Sequence, residues 1–331
     1  MEVQQVGIVG AGAWGTGLAQ AVRRAGRDVL VWGFESETVE AINSSHENRL
    51  FLPGIRLDPE IRATSRLEDI AGRDVVLMVT PAQHTRTIAG QLAGLLPDER
   101  PVVLCSKGIE QSTRKLMSQV IAEVMPNAVP LVLSGPSFAS EVARGLPAAL
   151  TLACPDEALG MTISHALGHS AFRLYWSGDL VGAQIGGAVK NVLAIAAGIV
   201  RGKQLGSNAH AALVTRGFAE MVRFGAALGA KPETLSGLSG LGDLLLTCGS
   251  PQSRNMSLGI ALGEGRSLDE VLGARSSVSE GVYTASAVVE IAQEHGLDLP
   301  ICSAVHAVVS GTSGVDAAIQ GLLARPFRAE R

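Results

Sequence analysis

"VGIVGAGAWGTGLAQAVRRAGRDVLVWGFE" (residues 6–35) decides the fold. A short apolar run at 5–9 reads as a buried strand. Gly10, Ala11, Gly12, Ala13, Trp14 and Gly15 then spell GxGxxG, and Trp14, Leu18, Val22 and Ala25 recur at helical spacing. Alone the glycine pattern is common. Between a strand and a helix it is the context of a dinucleotide site. The first glycine makes the turn, the second lets backbone approach a pyrophosphate, and the third lets helix and strand pack closely. The helix N-terminus offers free N–H groups and partial positive charge to the phosphates. Gly26 is a natural stop, and Val29–Trp32 forms a second strand.

The end of that second strand normally reads the adenosine ribose. An acidic residue there accepts from the 2′-hydroxyl and favours NAD; an arginine favours NADP. This chain has Gly33, Phe34 and Glu35. Phe34 can stack on adenine but cannot pair with a phosphate. The balance favours NAD, while Arg49 in the next loop keeps NADP open.

Further apolar runs at 75–79, 102–105, 131–133, 150–153 and 172–176 read as strands, with helical segments at 83–96 and 112–125. Strand alternating with helix predicts a parallel, doubly wound α/β sheet. Beyond Gly178 no convincing strand run remains. Helical periodicity covers 181–200, 208–229, 233–238, 255–264, 267–273, 281–295, 300–309 and 314–322. The expected organisation is a Rossmann-like dinucleotide-binding domain at 1–180 and an all-α substrate domain at 181–331.

Composition narrows the class. With 331 residues, 47% hydrophobic and 18% charged, the chain can fill two cores. A net charge of −4 supplies no basic field for nucleic acid. Cys105, Cys154, Cys248 and Cys302 are far apart and form no CxxC, so they read as reduced core thiols of a cytoplasmic protein. The N-terminus lacks the basic start of a signal peptide. The longest apolar helix candidate, Ile185–Val200, contains Lys190 and Asn191 and reads as too short to span a bilayer. No membrane insertion is expected. His165 and His169 are four apart without a third ligand, so no metal site is expected.

Several charges sit where charge is expensive. "VVLCSKGIE" places Lys107 at the carboxyl end of a strand, where open α/β sheets bind ligands. "LVLSGPSFASEV" brings Gly135 and Ser137 to the same crevice. "GGAVKNVLAIAAGIV" puts Lys190 in a helix that is apolar on nearly every side. A desolvated lysine there exchanges protons near neutral pH. Asp243, in "LSGLGDLLLTC", is a plausible partner. Ser253, Arg254 and Asn255 stand just before a helical run, a phosphate site in principle. For each, a solvated surface charge or a helix cap is the plainer alternative.

Together these segments resemble the bacterial NAD(P)-dependent glycerol-3-phosphate dehydrogenases of the soluble, biosynthetic type. The likeness spans nearly the whole chain: "GAGAWGTGLA", "NRLFLPG", "SKGIE", "SGPSFASEV", "GGAVKNVLAIAAG", "LVTRGFAEM", "GLGDLLLTC", "SRN" and "SEG", in that order. The resemblance implies reversible reduction of dihydroxyacetone phosphate to sn-glycerol 3-phosphate for phospholipid synthesis. It implies NAD or NADP as cofactor and a homodimer. It makes Lys190 the catalytic acid/base, with Lys107 touching substrate and cofactor. Gly135, Ser137, Asp243, Ser253, Arg254 and Asn255 would line the substrate site. Trp14, Phe34, Ala139, Arg254, Val278 and Glu280 would contact the cofactor. Asn191 and Thr247 would complete the catalytic neighbourhood. Relatives often carry Arg or His where this chain has Phe34, which bears on NADP use and not on the reaction. Two rival readings are another dehydrogenase of the same architecture, acting on a hydroxy acid or an acyl-CoA, and a sensor that binds the dinucleotide without turnover; "SRN" beside an apolar helix and the "GGAVKN" lysine argue against the first, and Lys190, Lys107 and Arg254 against the second.

Overall fold

A computed structural model describes residues 2–273, 279–327 and 329. The first part runs β1 (Gln5–Val9), α1 (Ala13–Arg24), β2 (Asp28–Trp32), α2 (Ser36–Ser45), β3 (Glu47–Asn48), β4 (Leu52–Arg56) and β5 (Arg62–Thr64). It continues with β6 (Val75–Met78), α3 (Ala82–Leu92), β7 (Pro101–Leu104), α4 (Met117–Val124), β8 (Val129–Ser134), α5 (Ala139–Arg144), β9 (Ala148–Ala153), α6 (Glu157–Leu167) and β10 (Phe172–Ser177). Eight strands form one sheet in the order β10-β9-β8-β7-β6-β1-β2-β5. Apolar cores cover both faces, one beneath α1, α5 and α6, the other beneath α3 and α4. This is a Rossmann-like, doubly wound α/β sheet. Its order reverses between β1 and β6, and there the carboxyl ends of the strands open a crevice.

The structure departs from the expected all-parallel sheet at one edge. β8 and β9 pair antiparallel, so β9 and β10 run against the other strands. Apolar runs fix burial but carry no direction, which is why the parallel reading does not hold at this edge. The expected helix at 112–125 begins only at Met117. Ile109 and Leu116 instead form an isolated antiparallel bridge, and Thr113 turns its hydroxyl to the Glu110 carboxylate.

Glu110 anchors the loop that carries Lys107. Arg86 of α3 clasps it with two hydrogen bonds of 2.9 Å and also reaches Glu123 at 2.8 Å. Arg86 holds the Glu110 carboxyl below the ordinary carboxylate range, with Thr113 assisting and burial opposing. Arg86→Ala is expected to cost about 1–3 kcal/mol, because a buried acceptor loses its charged partner. A depressed carboxylate pKa stabilises the fold above its unfolded value and loses that contribution as pH falls through the folded one. The gap between wild type and variant in urea titrations should therefore be widest at neutral pH and close in acid. A gap that widened on acidification would refute this account.

The second part is helical throughout the described residues: α7 (Leu180–Gly202), α8 (Gly206–Ala227), α9 (Pro232–Ser236), a π turn at Leu238–Gly242, α10 (Asp243–Gly249), α11 (Arg254–Gly263), α12 (Leu268–Gly273), α13 (Glu280–Glu294), α14 (Pro300–Val309) and α15 (Val315–Leu323). Asp179 caps α7 by accepting from Gly182 N–H at 2.8 Å. Every residue from Gly182 to Val200 is buried. At 23 residues α7 is longer than the sequence suggested, and by length and composition it could cross a membrane. It is instead the core around which the other helices pack. Among the described residues no other helix is long and apolar enough.

Glycine sets how closely α7 and α11 cross. A Cβ at Gly198 would stand 2.1 Å from the Met256 carbonyl, and one at Gly259 would stand 2.0 Å from the Ile195 carbonyl. Gly202 and Gly263 repeat the fit one turn on, each 3.0 Å or less from opposing backbone. The spacing matters because α7 carries Lys190 and α11 begins at Arg254. The four cysteines are free and buried.

Candidate active site

The glycine loop has the local form its sequence predicts. Gly10 takes φ +123°, a conformation that strains any side chain, and its position abuts the Val79 backbone. A Cβ at Gly15 would stand 1.8 Å from the Gly10 carbonyl, so helix and loop need glycine to meet. Gly12 faces open space, with nothing within 4 Å of its Cβ position. The first turn of α1 carries no acidic residue and no side-chain cap, which leaves its N–H groups for an anion. Beside it stands the start of α5: Gly17 lies so close that its Cβ would be 2.9 Å from the Ala139 carbonyl. Trp14 is half-buried on the first turn of α1, its indole N–H enclosed without a partner. Phe34, beyond β2, is 80% exposed. Arg49 is also exposed and pairs with Glu47 at 3.2 Å.

Across the crevice two lysines share one carboxylate. Lys190, mid-way along α7 and buried, donates to Asp243 Oδ1 at 2.7 Å and to the Thr247 hydroxyl at 2.8 Å. Lys107, just past β7, donates to Asp243 Oδ2 at 2.7 Å, to the Gly135 carbonyl at 2.8 Å and to the Ser137 hydroxyl at 3.4 Å. Asp243 and Thr247 stand one turn apart on α10, so both face α7. Gly187 lets α7 pass close over the carboxyl end of β8, since a Cβ there would stand 2.8 Å from Ser134 Oγ.

The electrostatics follow from this geometry. Two ammoniums against one carboxylate leave a net positive charge in a desolvated pocket. Burial drives the Lys190 pKa from 10.5 down to about 8; Lys107 adds to the shift and Asp243 opposes it. Burial works to raise the Asp243 carboxyl, yet Lys107 and then Lys190 outweigh it and hold it below the ordinary value. Asp243 is therefore an anion and Lys190 an acid poised near neutral pH. Burial pushes the neighbouring Cys248 thiol up to about 12, so it does not compete as a proton donor.

Asn191 and Asn255 form a buried amide chain. Asn255 accepts from Gly281 N–H at 3.1 Å and donates to Asn191 Oδ1 at 2.9 Å. Asn191 in turn donates to the Lys107 carbonyl at 2.8 Å and to the Gly187 carbonyl at 3.3 Å. Asn191 thus spends both amide hydrogens on backbone and tethers Lys107. Among the described residues Asn255 has one amide N–H without a partner. Ser253 is the N-cap of α11, accepting from Met256 N–H at 3.2 Å, and Arg254 follows it at the exposed mouth. Glu280, at the start of α13, accepts from Ala82 N–H at 2.9 Å and so ties the helical part to the first turn of α3. Its Oε2 is buried without a partner beside Gly108. Burial raises its carboxyl, against the pull of the Ala82 N–H and of Arg254.

The structure thus brings Lys107, Gly135, Ser137, Lys190, Asp243 and Thr247 into one hydrogen-bonded cluster. Val278 lies outside the described residues. Sequence reasoning gave no role to Asn48, Arg86 or Glu110, which hold the glycine loop and the Lys107 loop. Each is an ordinary polar residue until its burial is known. The open face of Gly12, the uncapped α1 terminus and the unpartnered polar atoms of Trp14 and Glu280 fit a bound dinucleotide.

Comparison with known proteins agrees with this geometry. Residues 5–160 match the model for the NAD-dependent glycerol-3-phosphate dehydrogenase N-terminus, and residues 179–320 match that for the C-terminus. The chain is 59% identical to glycerol-3-phosphate dehydrogenase [NAD(P)+] of Parvibaculum lavamentivorans, over 99% of this chain and 98% of that one. It is 57% identical to the Caulobacter vibrioides protein of the same name over 100% of both. The crystal structure of glycerol-3-phosphate dehydrogenase from Coxiella burnetii superposes with a TM-score of 0.93 at 36% identity, covering 98% of this chain and 99% of that one.

Proposed function

This chain belongs to the NAD-dependent glycerol-3-phosphate dehydrogenase family, and we propose from that premise that Lys190 is its proton donor and Arg254 its phosphate anchor. The enzyme reversibly reduces dihydroxyacetone phosphate to sn-glycerol 3-phosphate with NADH or NADPH, the step that supplies glycerophospholipid synthesis. The observation that carries the assignment of roles is the shared Asp243 carboxylate, which presents Lys190 as a desolvated acid with a pKa of about 8.

Bound NAD(P)H supplies the hydride that reduces the C2 carbonyl. The residues of this chain manage the charge that results. Lys190, as an ammonium, donates a hydrogen bond to the carbonyl oxygen, stabilises the growing negative charge and then gives up its proton. In the reverse direction the neutral amine takes the hydroxyl proton. Asp243 and Thr247 hold the Lys190 nitrogen in place, and Lys107 adds positive potential. Arg254, Ser253 and the remaining Asn255 N–H sit at the α11 N-terminus, where a phosphate is favoured. Binding energy gained there orients the carbonyl at a distance from it.

The same proposal divides the chain at 180, with 1–180 holding the dinucleotide and 181–331 the substrate. It favours NAD, because no cation stands beside Phe34 in sequence and Arg49 is occupied by Glu47. It also places the enzyme in the cytoplasm as a homodimer. The four free cysteines suit a reducing compartment, and exposed Leu205, Leu245 and Leu323 give the helical part apolar surface to bury.

Steady-state reduction tests the assignment, with NADH and NADPH compared at equal concentration. Arg254→Ala should raise KM for dihydroxyacetone phosphate about 10- to 100-fold, the worth of charged hydrogen bonds. Turnover of unphosphorylated dihydroxyacetone should be unchanged in that variant. An NADPH preference would point to Arg49 as the reader of the 2′-phosphate. Equal losses on both substrates would remove Arg254 from the phosphate site.

A further inference from the structure

Side-chain amides fasten the segment around the β3–β4 hairpin onto the sheet. Gln20 of α1 donates to the Arg56 carbonyl and accepts from Asp58 N–H, both at 3.0 Å. Asn43 of α2 pairs with Ala63 of β5 in both directions, at 2.9 and 2.8 Å. Asn48 grips something different. It is fully buried, at 0% exposure. Its Nδ2 donates to the Ala11 carbonyl and to the Thr16 hydroxyl, each at 2.7 Å. Its Oδ1 accepts from Phe51 N–H at 3.0 Å. Both amide hydrogens are used and the oxygen has a partner, and two of the bonds reach the glycine loop and the first turn of α1.

Ala11 lies between the first two glycines of that loop. Its carbonyl and the Gly12 N–H belong to one planar trans peptide, so they point in opposite directions. Holding the carbonyl on the hairpin side therefore aims the N–H the other way. The Gly12 N–H takes part in no described backbone hydrogen bond, and Gly12 faces open space. We propose that Asn48 is a positioning residue for the cofactor: it sets the plane of the Ala11–Gly12 peptide and thereby aims the Gly12 amide at the pyrophosphate. The inference rests on the dinucleotide reading of the glycine loop. Thr16, which also reaches the Ala11 carbonyl at 3.4 Å, is the second and weaker hold on the same peptide.

The test compares ligands with and without a pyrophosphate. Full-length wild type, Asn48→Ala and Thr16→Val are titrated with NADH, ADP and adenosine, using tryptophan fluorescence; kcat with dihydroxyacetone phosphate is measured at saturating NADH. Asn48→Ala should weaken NADH and ADP alike, about 10- to 50-fold, as expected for a misdirected charge-assisted hydrogen bond. Adenosine affinity should be unchanged, and kcat should stay within about 2-fold because the reacting centre is untouched. Thr16→Val should show the same pattern at about 3-fold, and it decides the matter if Asn48→Ala does not fold. A merely structural role would weaken adenosine and ADP equally. That result, or a loss of kcat with NADH affinity intact, would overturn the proposal. Failure of the wild type to reduce dihydroxyacetone phosphate would strike the assigned reaction and leave the ADP-against-adenosine comparison standing.

Discussion

Lys190→Ala should lower kcat for dihydroxyacetone phosphate reduction by about 10³- to 10⁴-fold, since it removes the proposed proton donor and, with it, the charge proposed to face the developing oxyanion. NADH affinity should hold, because Lys190 lies across the crevice from the glycine loop. The pH dependence gives an independent check. Reduction needs the ammonium, so kcat should fall as pH rises through about 8. Oxidation of glycerol 3-phosphate needs the neutral amine, so its kcat should rise through the same range. Asp243→Asn removes the charge that raises the Lys190 pKa, and should shift both breaks to lower pH. Breaks that stayed in place in Asp243→Asn would mean another group titrates. Near-wild-type turnover in Lys190→Ala would end the assignment.

Gly198→Ala should be a severely damaging change for a single methyl group. The new Cβ would stand 2.1 Å from the Met256 carbonyl and 2.8 Å from Gly259 Cα, both of them backbone atoms that no rotamer can move aside. α11 must retreat by roughly 1 Å, and its N-terminus carries Ser253, Arg254 and Asn255. Overpacking of this kind costs about 1–3 kcal/mol or more. A misplacement of about 1 Å between reacting partners costs on the order of 10²-fold in rate. The expected result is a lower urea midpoint together with a loss in kcat/KM. Gly90→Ala is the control: Gly90 lies in α3 with nothing within 4 Å of its Cβ position. That change should stabilise by about 0.5–1 kcal/mol and leave activity alone. Equal behaviour of the two variants would show that the α7–α11 crossing does not set the site.

The sheet and the helical part are legible because each rests on a local signal. GxGxxG between strand and helix, short apolar runs and 3.6-residue periodicity all act within a few residues. The β3–β4 hairpin was not legible, since its strands are short and one of them contains Pro53 and Gly54. α2 has only Thr38 and Ile42 buried, too few for a periodic signal. The site divides in the same way. Lys107, Lys190 and Asp243 each stand out as charges in apolar company. Their union does not, because Asp243 is 53 residues from Lys190 and 136 from Lys107. The crossing glycines showed in the sequence only as an abundance of glycine. Asn48 was visible only within a quoted motif, with nothing to tell that its amide would be enclosed.

The full burial of α7 has a consequence for the chain before it folds. While it is being made, this 23-residue apolar stretch is, among the described residues, the one segment that insertion machinery could mistake for a bilayer anchor. Lys190 stands one residue from its midpoint. A lysine at that depth opposes insertion by about 2.5–3.5 kcal/mol. The ammonium proposed to handle the substrate proton would thus also weigh against bilayer insertion of the newborn polypeptide.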